Sequence, residues 1–555
     1  MMWIDEKSKQ DLQLDQLLLR FQPWTPMGKK AKEKLTPFLP GQESDWQQLL
    51  EEQEVIQSHL VRYPKQVAQL ESILQQIPDV EDLILQLESG YVPSLTEWFQ
   101  IKQFLWYSRA WARLLTEMEI DNSFYFNKVE IETCANLLQH LNPSHPLRST
   151  FSIADEYDPA LKAARENRAH LEREKLCERE SRAQIIEEQL QVRRNRFGEW
   201  IAIRGSQQEK KMLQINDLQL IRETTYDRYF ELKPSKQQEK IEHELDQLNE
   251  KIARLEQKVL NQLAKTFRSA IPFFRYAHQK ITHFDLQWAR IRAAESWHGS
   301  KPTYSERHLE IQEGFHPLMA EKLREWNIEF MPIQVSIKSG VTVIIGPNMG
   351  GKTAALKTIG VNVALAQFGF FVPAKSCCLP LFPWIKSIIG DGQDWEKGLS
   401  SFGAEIARLT LCFQKTGPGL LLLDEIGRGT NPIEGSSISE AVTQYLMNKE
   451  FFSIHVTHYR EVLHVKGVQG YRVAGLQTLP NYNGNSTQEM IQQLHKHMDY
   501  RLLPLRVTDT IPQQAIRIAE LLGLPQAIIS QAKQRLKSEV GLIDGTETKT
   551  GPSSD

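Results

Sequence analysis

Cysteine is scarce in this chain. Its 555 residues hold five, Cys134, Cys177, Cys377, Cys378 and Cys412. They form no C-x-x-C pair and are too few for a disulfide framework, so a reducing cytoplasmic setting is expected. Long apolar runs are also missing: no stretch of about 18 apolar residues occurs, which argues against a membrane span. The opening Met1-Met2-Trp3-Ile4-Asp5-Glu6 lacks the pattern of a secretory signal. Charge of one sign is lacking as well. A net charge of −3 announces no global basic field for nucleic acid and leaves only local patches to consider. With 41% hydrophobic and 24% charged residues, the composition is that of a soluble protein long enough for three or four domains.

What is present starts at Gly346-Pro347-Asn348-Met349-Gly350-Gly351-Lys352-Thr353. This octapeptide fits G-x-x-x-x-G-K-[ST] without a mismatch. The β-branched run 341–345 precedes it and a helix-like stretch, 354–367, follows. Strand, glycine turn and helix are what phosphate binding needs. Glycines let backbone N–H groups close around phosphate oxygens, and the helix N-terminus adds positive potential. Lys352 can then reach the β- and γ-phosphates of ATP, and the Thr353 hydroxyl can ligate Mg²⁺.

A second motif follows some 70 residues later. Gly419-Leu420-Leu421-Leu422-Leu423-Asp424-Glu425 reads as a strand buried on both faces and ending in two carboxylates. Such a strand ends beside the phosphate loop of a parallel sheet. Asp424 is then a candidate to support Mg²⁺, and Glu425 to orient or deprotonate the attacking water.

The fold expected is multidomain: an all-α core with a long coiled-coil arm, then an α/β phosphate-loop ATPase domain. Residues 1–157 read as a helical core or lever, with apolar positions at helical spacing and breakers at Pro40-Gly41 and Ser89-Gly90. A long charged helix is expected from about residue 158 to 196. After Pro234 a second helix places Ile241, Leu245, Leu248, Ile252, Leu255, Val259 and Leu263 at spacings of 4, 3, 4, 3, 4 and 4, essentially a heptad seam. Between the two helices lies a β-rich insert, about 197–233. Helix, insert and helix favour an antiparallel arm spanning 158–270 over a parallel dimer of heptad helices. A helical connector over 271–310 leads to an ATPase domain over 311–540, and a polar tail over 541–555 reads as disordered. Residues 191–240 hold eleven Lys or Arg against seven Asp or Glu. Arg193, Arg194 and Arg196, the densest part, are candidate phosphate contacts, with a solvated charged face as the competing reading.

The octapeptide, with its Gly-Pro-Asn-Met opening, resembles the phosphate loop of the MutS family. Asp424-Glu425-Ile426-Gly427-Arg428-Gly429-Thr430 resembles that family's Mg²⁺ and base motif. Its continuation, Asn431-Pro432-Ile433-Glu434-Gly435, is more similar to the second bacterial branch than to mismatch-repair MutS. Val456-Thr457-His458-Tyr459 resembles the segment that implies a catalytic role for His458 near the γ-phosphate. Gly398-Leu399-Ser400-Ser401-Phe402 resembles the segment that reaches the partner subunit's nucleotide, which implies that Ser400 and Ser401 act in trans; the family form there is usually Ser-Thr-Phe. Gly314-Phe315-His316-Pro317-Leu318 resembles the entry to the ATPase domain and places His316 among the nucleotide-binding candidates. Thr25-Pro26-Met27-Gly28 resembles the start of the helical core. Leu522-Gly523-Leu524-Pro525 resembles the dimerising segment, although the Ser-Tyr-Gly-Ile motif before it is replaced by Asp509-Thr510-Ile511-Pro512.

The resemblance implies a cytoplasmic homodimeric ATPase using ATP and Mg²⁺, with no membrane role. The helical core begins near residue 10, so neither a mismatch-reading domain nor a C-terminal nuclease-like domain is expected. Phe197-Gly198-Glu199 fits the mismatch-reading Phe-x-Glu pattern but lies in the arm, where it reads as chance. Two functions remain open. One is a clamp whose grip on duplex or branched DNA is set by the nucleotide. The other is an ATP-driven remodeller of a protein client, such as the ATPase subunit of a reactivating factor for an adenosylcobalamin-dependent aminomutase. The clamp is the commoner activity in the family.

Overall fold

The computed structural model describes residues 3–121, 123–143, 151–347, 351–390, 401–476, 497–505, 515–521 and 523–544. The chain forms two compact units. One comprises residues 72–117 and 121–281; the other comprises 1–71, 118–120 and 282–555.

The first of these units has an aromatic core. Trp98, Phe104, Trp111, Phe126, Phe267 and Phe274 are all buried, and the Trp98 and Phe267 rings meet edge to face at 4.9 Å. Two long helices, Pro159–Leu190 and Lys236–Ser269, run antiparallel. Ion pairs fix the direction: Arg165 pairs with Glu256 at 2.6 Å, Lys175 with Glu242 at 2.6 Å, and Asp158 with Lys258 at 3.1 Å. As numbers rise along one helix they fall along the other. Ile241, Leu248, Ile252, Val259 and Leu263 are buried along the seam, as a 3.5-residue repeat requires. Both starts are capped, the first by Asp158 ahead of Pro159 and the second by a Ser235–Gln238 capping box. The first helix stops at Leu190, short of Arg196, because Gln191 turns left-handed with φ 56°.

Between the two helices, strands β1 (Trp200–Ile203), β2 (Leu218–Glu223) and β3 (Asp227–Leu232) form an antiparallel sheet in the order β1-β3-β2. The insert is less purely β than its sequence implies, because helix Gln207–Gln214 crosses it. Trp200, Ala202, Met212, Leu218 and Phe230 pack with Ala183, Ile186 and Leu190 of the first helix. The alternate residues of β1, Ile201 and Ile203, are exposed.

The other unit carries two sheets. Strands β4 (Thr303–Tyr304), β5 (His308–Gly314), β6 (Ile333–Lys338) and β8 (Ser376–Leu379) form one, in the order β4-β8-β5-β6. Strands β7 (Gly340–Ile345), β9 (Ile385–Ile388), β10 (Leu420–Asp424), β11 (Phe452–Thr457), β12 (Gln469–Leu476) and β13 (Met498–Leu505) form the other, in the order β13-β12-β7-β11-β10-β9. All neighbours in it pair in parallel except β12 with β13. The four leucines of β10 are fully buried, as befits a strand covered on both faces. Helix Lys352–Gln367 is buried along most of its length against this sheet.

Two expectations about boundaries change. The helical connector expected over 271–310 is helical only through Ile271–Glu295; β4 and β5 follow. The helical segment expected over 1–157 is divided between the units. Trp3, Leu12, Phe21 and Trp46 share a core with Ile344, Leu356, Phe382 and Leu422. Buried indole N–H groups anchor it, Trp3 to the Phe382 carbonyl at 2.9 Å and Trp46 to the Ala366 carbonyl at 2.7 Å. Periodicity identifies helices but not the core they join.

The Thr25-Pro26-Met27-Gly28 segment has a physical explanation. Thr25 caps helix Pro26–Glu33. The buried Asp285 carboxylate accepts from Trp24 N–H at 2.9 Å, Thr25 N–H at 2.8 Å and the Thr25 hydroxyl at 2.7 Å. A Cβ at position 28 would lie 2.3 Å from Asp285 Oδ2, so only glycine allows the carboxylate to approach. Burial holds the Asp285 carboxyl above its ordinary range, with the three donors pulling it back. Among the described residues, no helix is long and apolar enough to cross a membrane.

Candidate functional site

Strand β7 ends at Ile345 and the next helix opens at Lys352. Gly351, between them, is left-handed with φ +83°, and a Cβ there would meet the Tyr500 ring at 2.5 Å. Lys352 is 5% exposed. Its Nζ donates to the Gly346 carbonyl at 3.0 Å and the Pro347 carbonyl at 3.1 Å, and lies 3.5 Å from Glu425 Oε1. Burial pushes this ammonium below its ordinary pKa, and Glu425 opposes the shift.

The sheet order β7-β11-β10 puts the end of β10 near the start of that helix. Thr353 Oγ1 donates to Asp424 Oδ2 at 2.8 Å. The other carboxylate oxygen, Asp424 Oδ1, is buried with no hydrogen-bond partner among the described residues. Burial raises the Asp424 pKa, and the Thr353 hydroxyl opposes this. A buried, unanswered carboxylate oxygen beside a threonine hydroxyl is a hard oxygen donor set of the kind Mg²⁺ takes.

Glu425 has φ 51°. A left-handed backbone at a residue with a Cβ costs about 1–2 kcal/mol, and such strain collects where a side chain must be aimed. Its N–H is fixed to the Val456 carbonyl at 2.8 Å. Its carboxylate is flanked by Lys352 and, at 2.9 Å, by Arg428 Nη1. Beyond it, the Asp424–Gly435 run folds back on itself. Gly427 is left-handed at φ +87°, and a Cβ at Gly435 would lie 2.4 Å from the Gly427 oxygen and 2.5 Å from the Tyr459 hydroxyl. Gly427 N–H donates to Glu405 Oε1 at 2.8 Å, and Asn431 caps helix Pro432–Met447. The paired glycines therefore set how closely the Glu425 turn sits on Tyr459.

These groups open on one cavity of about 640 Å³, within the range of small-molecule sites. Gly351, Lys352, Thr353, Asp424, Glu425 and Arg428 supply its polar lining. Leu323, Trp326, Phe330, Met331 and Tyr500 supply an apolar wall that sequence reasoning missed. Trp326, Phe330 and Met331 come from the turn before β6, where an aromatic-rich loop is the only available cue. Tyr500 arrives from β13, and no local pattern links it to residue 351. Burial raises its phenol pKa to about 12.

The remaining candidates divide. His316 does not line this cavity. It is fully buried ahead of helix Pro317–Glu325, its Nε2 lies 3.3 Å from the Leu12 carbonyl, and burial lowers its pKa to about 4. The helix it precedes reaches the cavity through Met319, Lys322 and Leu323 instead. His458 also stands outside the lining, exposed, with its ring 4.1 Å from that of Tyr459. Burial lowers its pKa and the Glu425 carboxylate opposes this. Asn348, Met349, Gly350 and Ser400 lie outside the described residues. Ser401 opens helix Ser401–Phe413, and its side chain is not described.

In the insert between the long helices, the three arginines are not equivalent. Arg194 is paired with Glu180 and with Glu187, which removes it as a free cation. Arg193 and Arg196 are exposed without an ion pair among the described residues, and Arg196 lies over the Phe197 ring at 4.8 Å. Glu199 is engaged by Asn195 and Arg222, so Phe197-Gly198-Glu199 offers no free carboxylate.

Residues 342–539 match the family model for MutS domain V. The chain is 28% identical over 552 residues to the endonuclease MutS2 of Synechocystis sp., covering 92% of this chain and 62% of that protein. It is 30% identical over 317 residues to the endonuclease MutS2 of Fusobacterium nucleatum, covering 55% and 38%. It is 28% identical over 305 residues to the DNA mismatch repair protein MutS of Thermus aquaticus, covering 55% and 35%. The chain thus spans between about a third and two thirds of the length of these relatives.

The glycine pair generates a test. Gly435→Ala should destabilise the protein by about 1–3 kcal/mol through overpacking against backbone, read as a lower urea midpoint. Ser437→Ala, an exposed change two residues on, should stay within about 0.5 kcal/mol. Equal midpoints in the two variants would show that the turn relaxes freely.

Proposed function

Given that the chain is a MutS-family protein of the MutS2-like branch, we propose that it hydrolyses ATP and uses the nucleotide to control a grip on duplex or branched DNA. One observation carries the reading: Lys352, Thr353, Asp424 and Glu425, drawn from two strand ends, converge on a single cavity. Backbone N–H groups of the octapeptide and the Lys352 ammonium receive the β- and γ-phosphates. The Thr353 hydroxyl and the open Asp424 oxygen suit Mg²⁺, which supplies neutralisation of phosphate charge when bound. The apolar wall of Trp326, Phe330, Met331 and Tyr500 offers ring faces to a purine.

In hydrolysis a water oxygen bonds to the γ-phosphorus while the bond from that phosphorus to the bridging oxygen breaks. Glu425 is the group aimed to orient this water and take its proton. Its carboxylate is paired with Lys352 and Arg428. Lys352 is answered by the Gly346 and Pro347 carbonyls and by Glu425; the more highly charged phosphate oxygens are stronger partners for an ammonium and would draw it away from the base. Glu425→Gln should keep ATP binding and lose turnover by about 10²-fold or more, measured as released phosphate beside equilibrium nucleotide binding. Unchanged turnover would remove Glu425 from the chemistry.

The active form is a homodimer with shared sites. Spread-out charge in the transferred phosphoryl group needs donors on every side, and the Gly398–Phe402 likeness supports Ser400 and Ser401 as those the partner supplies, with Asn348 and His458 acting in cis. Mixing Lys352→Ala subunits with Ser400→Ala subunits should restore about one working site per heterodimer. Heterodimers as inactive as either parent would rule the arrangement out.

The antiparallel helices and their sheet are the arm that grips DNA. Support comes from the relatives, named for endonuclease and mismatch-repair roles, and from the unpaired Arg193 and Arg196. Replacing both with Ala should lower the salt dependence of DNA binding by about two units of slope, roughly one per lost phosphate contact. Arg194→Ala should leave the slope in place, because that charge is already answered by Glu180 and Glu187. Absence of salt-sensitive binding to duplex and branched DNA in the wild type would overturn the grip and favour a protein client.

A further inference from the structure

The sheet between the long helices is unusual in what it leaves exposed. Seven of the 22 large apolar side chains exposed among the described residues fall within residues 197–226. Phe197 is 70% exposed and Tyr226 is 77% exposed. Along β1, Trp200 and Ala202 face the core, so Ile201 and Ile203 face away from it. Tyr229 pairs with Ile201 across the sheet and shares that outer face. Scattered exposed apolar residues need no explanation, but a concentration of them marks a binding surface.

The charge around this face is one-sided once internal pairs are set aside. Glu199 pairs with Arg222, Glu209 and Glu223 with Arg228, Asp217 with Arg182, and Glu231 with Arg179. Every acid from 193 to 232 except Asp227 is thereby engaged. Arg193, Arg196, Arg204, Lys210 and Lys211 are exposed with no ion pair among the described residues. The face therefore complements a polyanion.

The rings and the cations are also placed together. Arg196 covers one side of Phe197 at 4.8 Å and Arg222 lies over Tyr229 at 3.9 Å. Arg204 N–H donates to the Tyr226 carbonyl at 2.8 Å, which puts residue 226 just past the end of β1, with Phe197 just before its start. A duplex presents phosphates to a protein but keeps its base faces stacked inside. Free phosphates with free ring faces belong to a single strand, and aromatic platforms flanked by cations are how single strands are held.

We propose that this sheet face binds single-stranded DNA, the unpaired strand at a branch, by stacking bases on Phe197 and Tyr226 while Arg193, Arg196 and Arg204 take the phosphates. The proposal rests on the DNA-gripping reading above and narrows it to one kind of strand. The test uses the full chain and fluorescence anisotropy with a labelled oligothymidylate and a mixed-sequence duplex at matched salt. The double variant Phe197→Ala, Tyr226→Ala should lose about 10-fold or more in affinity for the single strand, with its salt slope and its duplex affinity retained. Both side chains are exposed, and an unchanged circular dichroism melt excludes misfolding. A variant that holds the single strand as tightly as the wild type, while the wild type binds duplex, overturns the stacking and leaves the DNA grip standing. A wild type that binds neither overturns both. Tighter binding of a uridine oligonucleotide than of oligothymidylate overturns the assignment to DNA in favour of RNA.

Discussion

A buried ammonium has to be answered by oxygen, and Lys352 imposes that requirement on everything near it. Two loop carbonyls and one carboxylate are among those that do so. None of these three carries the charge of a phosphate, and charge-assisted bonds strengthen with the charge of the acceptor. The Gly351 turn, the left-handed Glu425 and the buried end of β10 follow from bringing those oxygens within reach. Parallel pairing delivers two strand ends to one edge, and the turn after β10 then points the second carboxylate back toward the lysine.

Arg428 gives that arrangement a second consequence. It is 61% exposed yet bonded to Glu425 Oε2. A solvated arginine is easily lost as a partner, because surface ion pairs contribute only about 0–1 kcal/mol. Glu425 is thus held on one side by a buried cation and on the other by a weak, mobile one. Its orientation is fixed mainly by the backbone: the bond to Val456 and the left-handed turn locked by Gly427 against Gly435.

Much of this site was legible in the sequence because its parts lie in contiguous motifs whose spacing carries geometry. The octapeptide marks a strand–turn–helix, and four leucines before Asp424 mark a central strand. The glycines at 427 and 435 were visible as a motif, but their contact with each other was not. What could not be read was assembled from distant pieces. Tyr500, on β13, reaches Gly351 past the intervening β12, and His316 is drawn inward to Leu12 instead of toward the cavity. Between residues 236 and 269, heptad spacing marked the helix and its buried seam. The end of the first helix depended on one residue, Gln191, entering a conformation that composition does not announce. Arg194 looked like its neighbours until Glu180 and Glu187, about two turns apart on the preceding helix, claimed it.

The indole of Trp3 closes on the carbonyl of Phe382, a partner 379 residues further along the chain. During synthesis at about 5–20 residues per second, the first helices leave the ribosome roughly 20–75 seconds before the strands they pack against exist. Throughout that interval Trp3, Leu12, Phe21 and Trp46 have no core to enter. The intervening unit, residues 72–117 and 121–281, is compact in its own right. The middle unit is therefore synthesised before the two segments that flank it can meet.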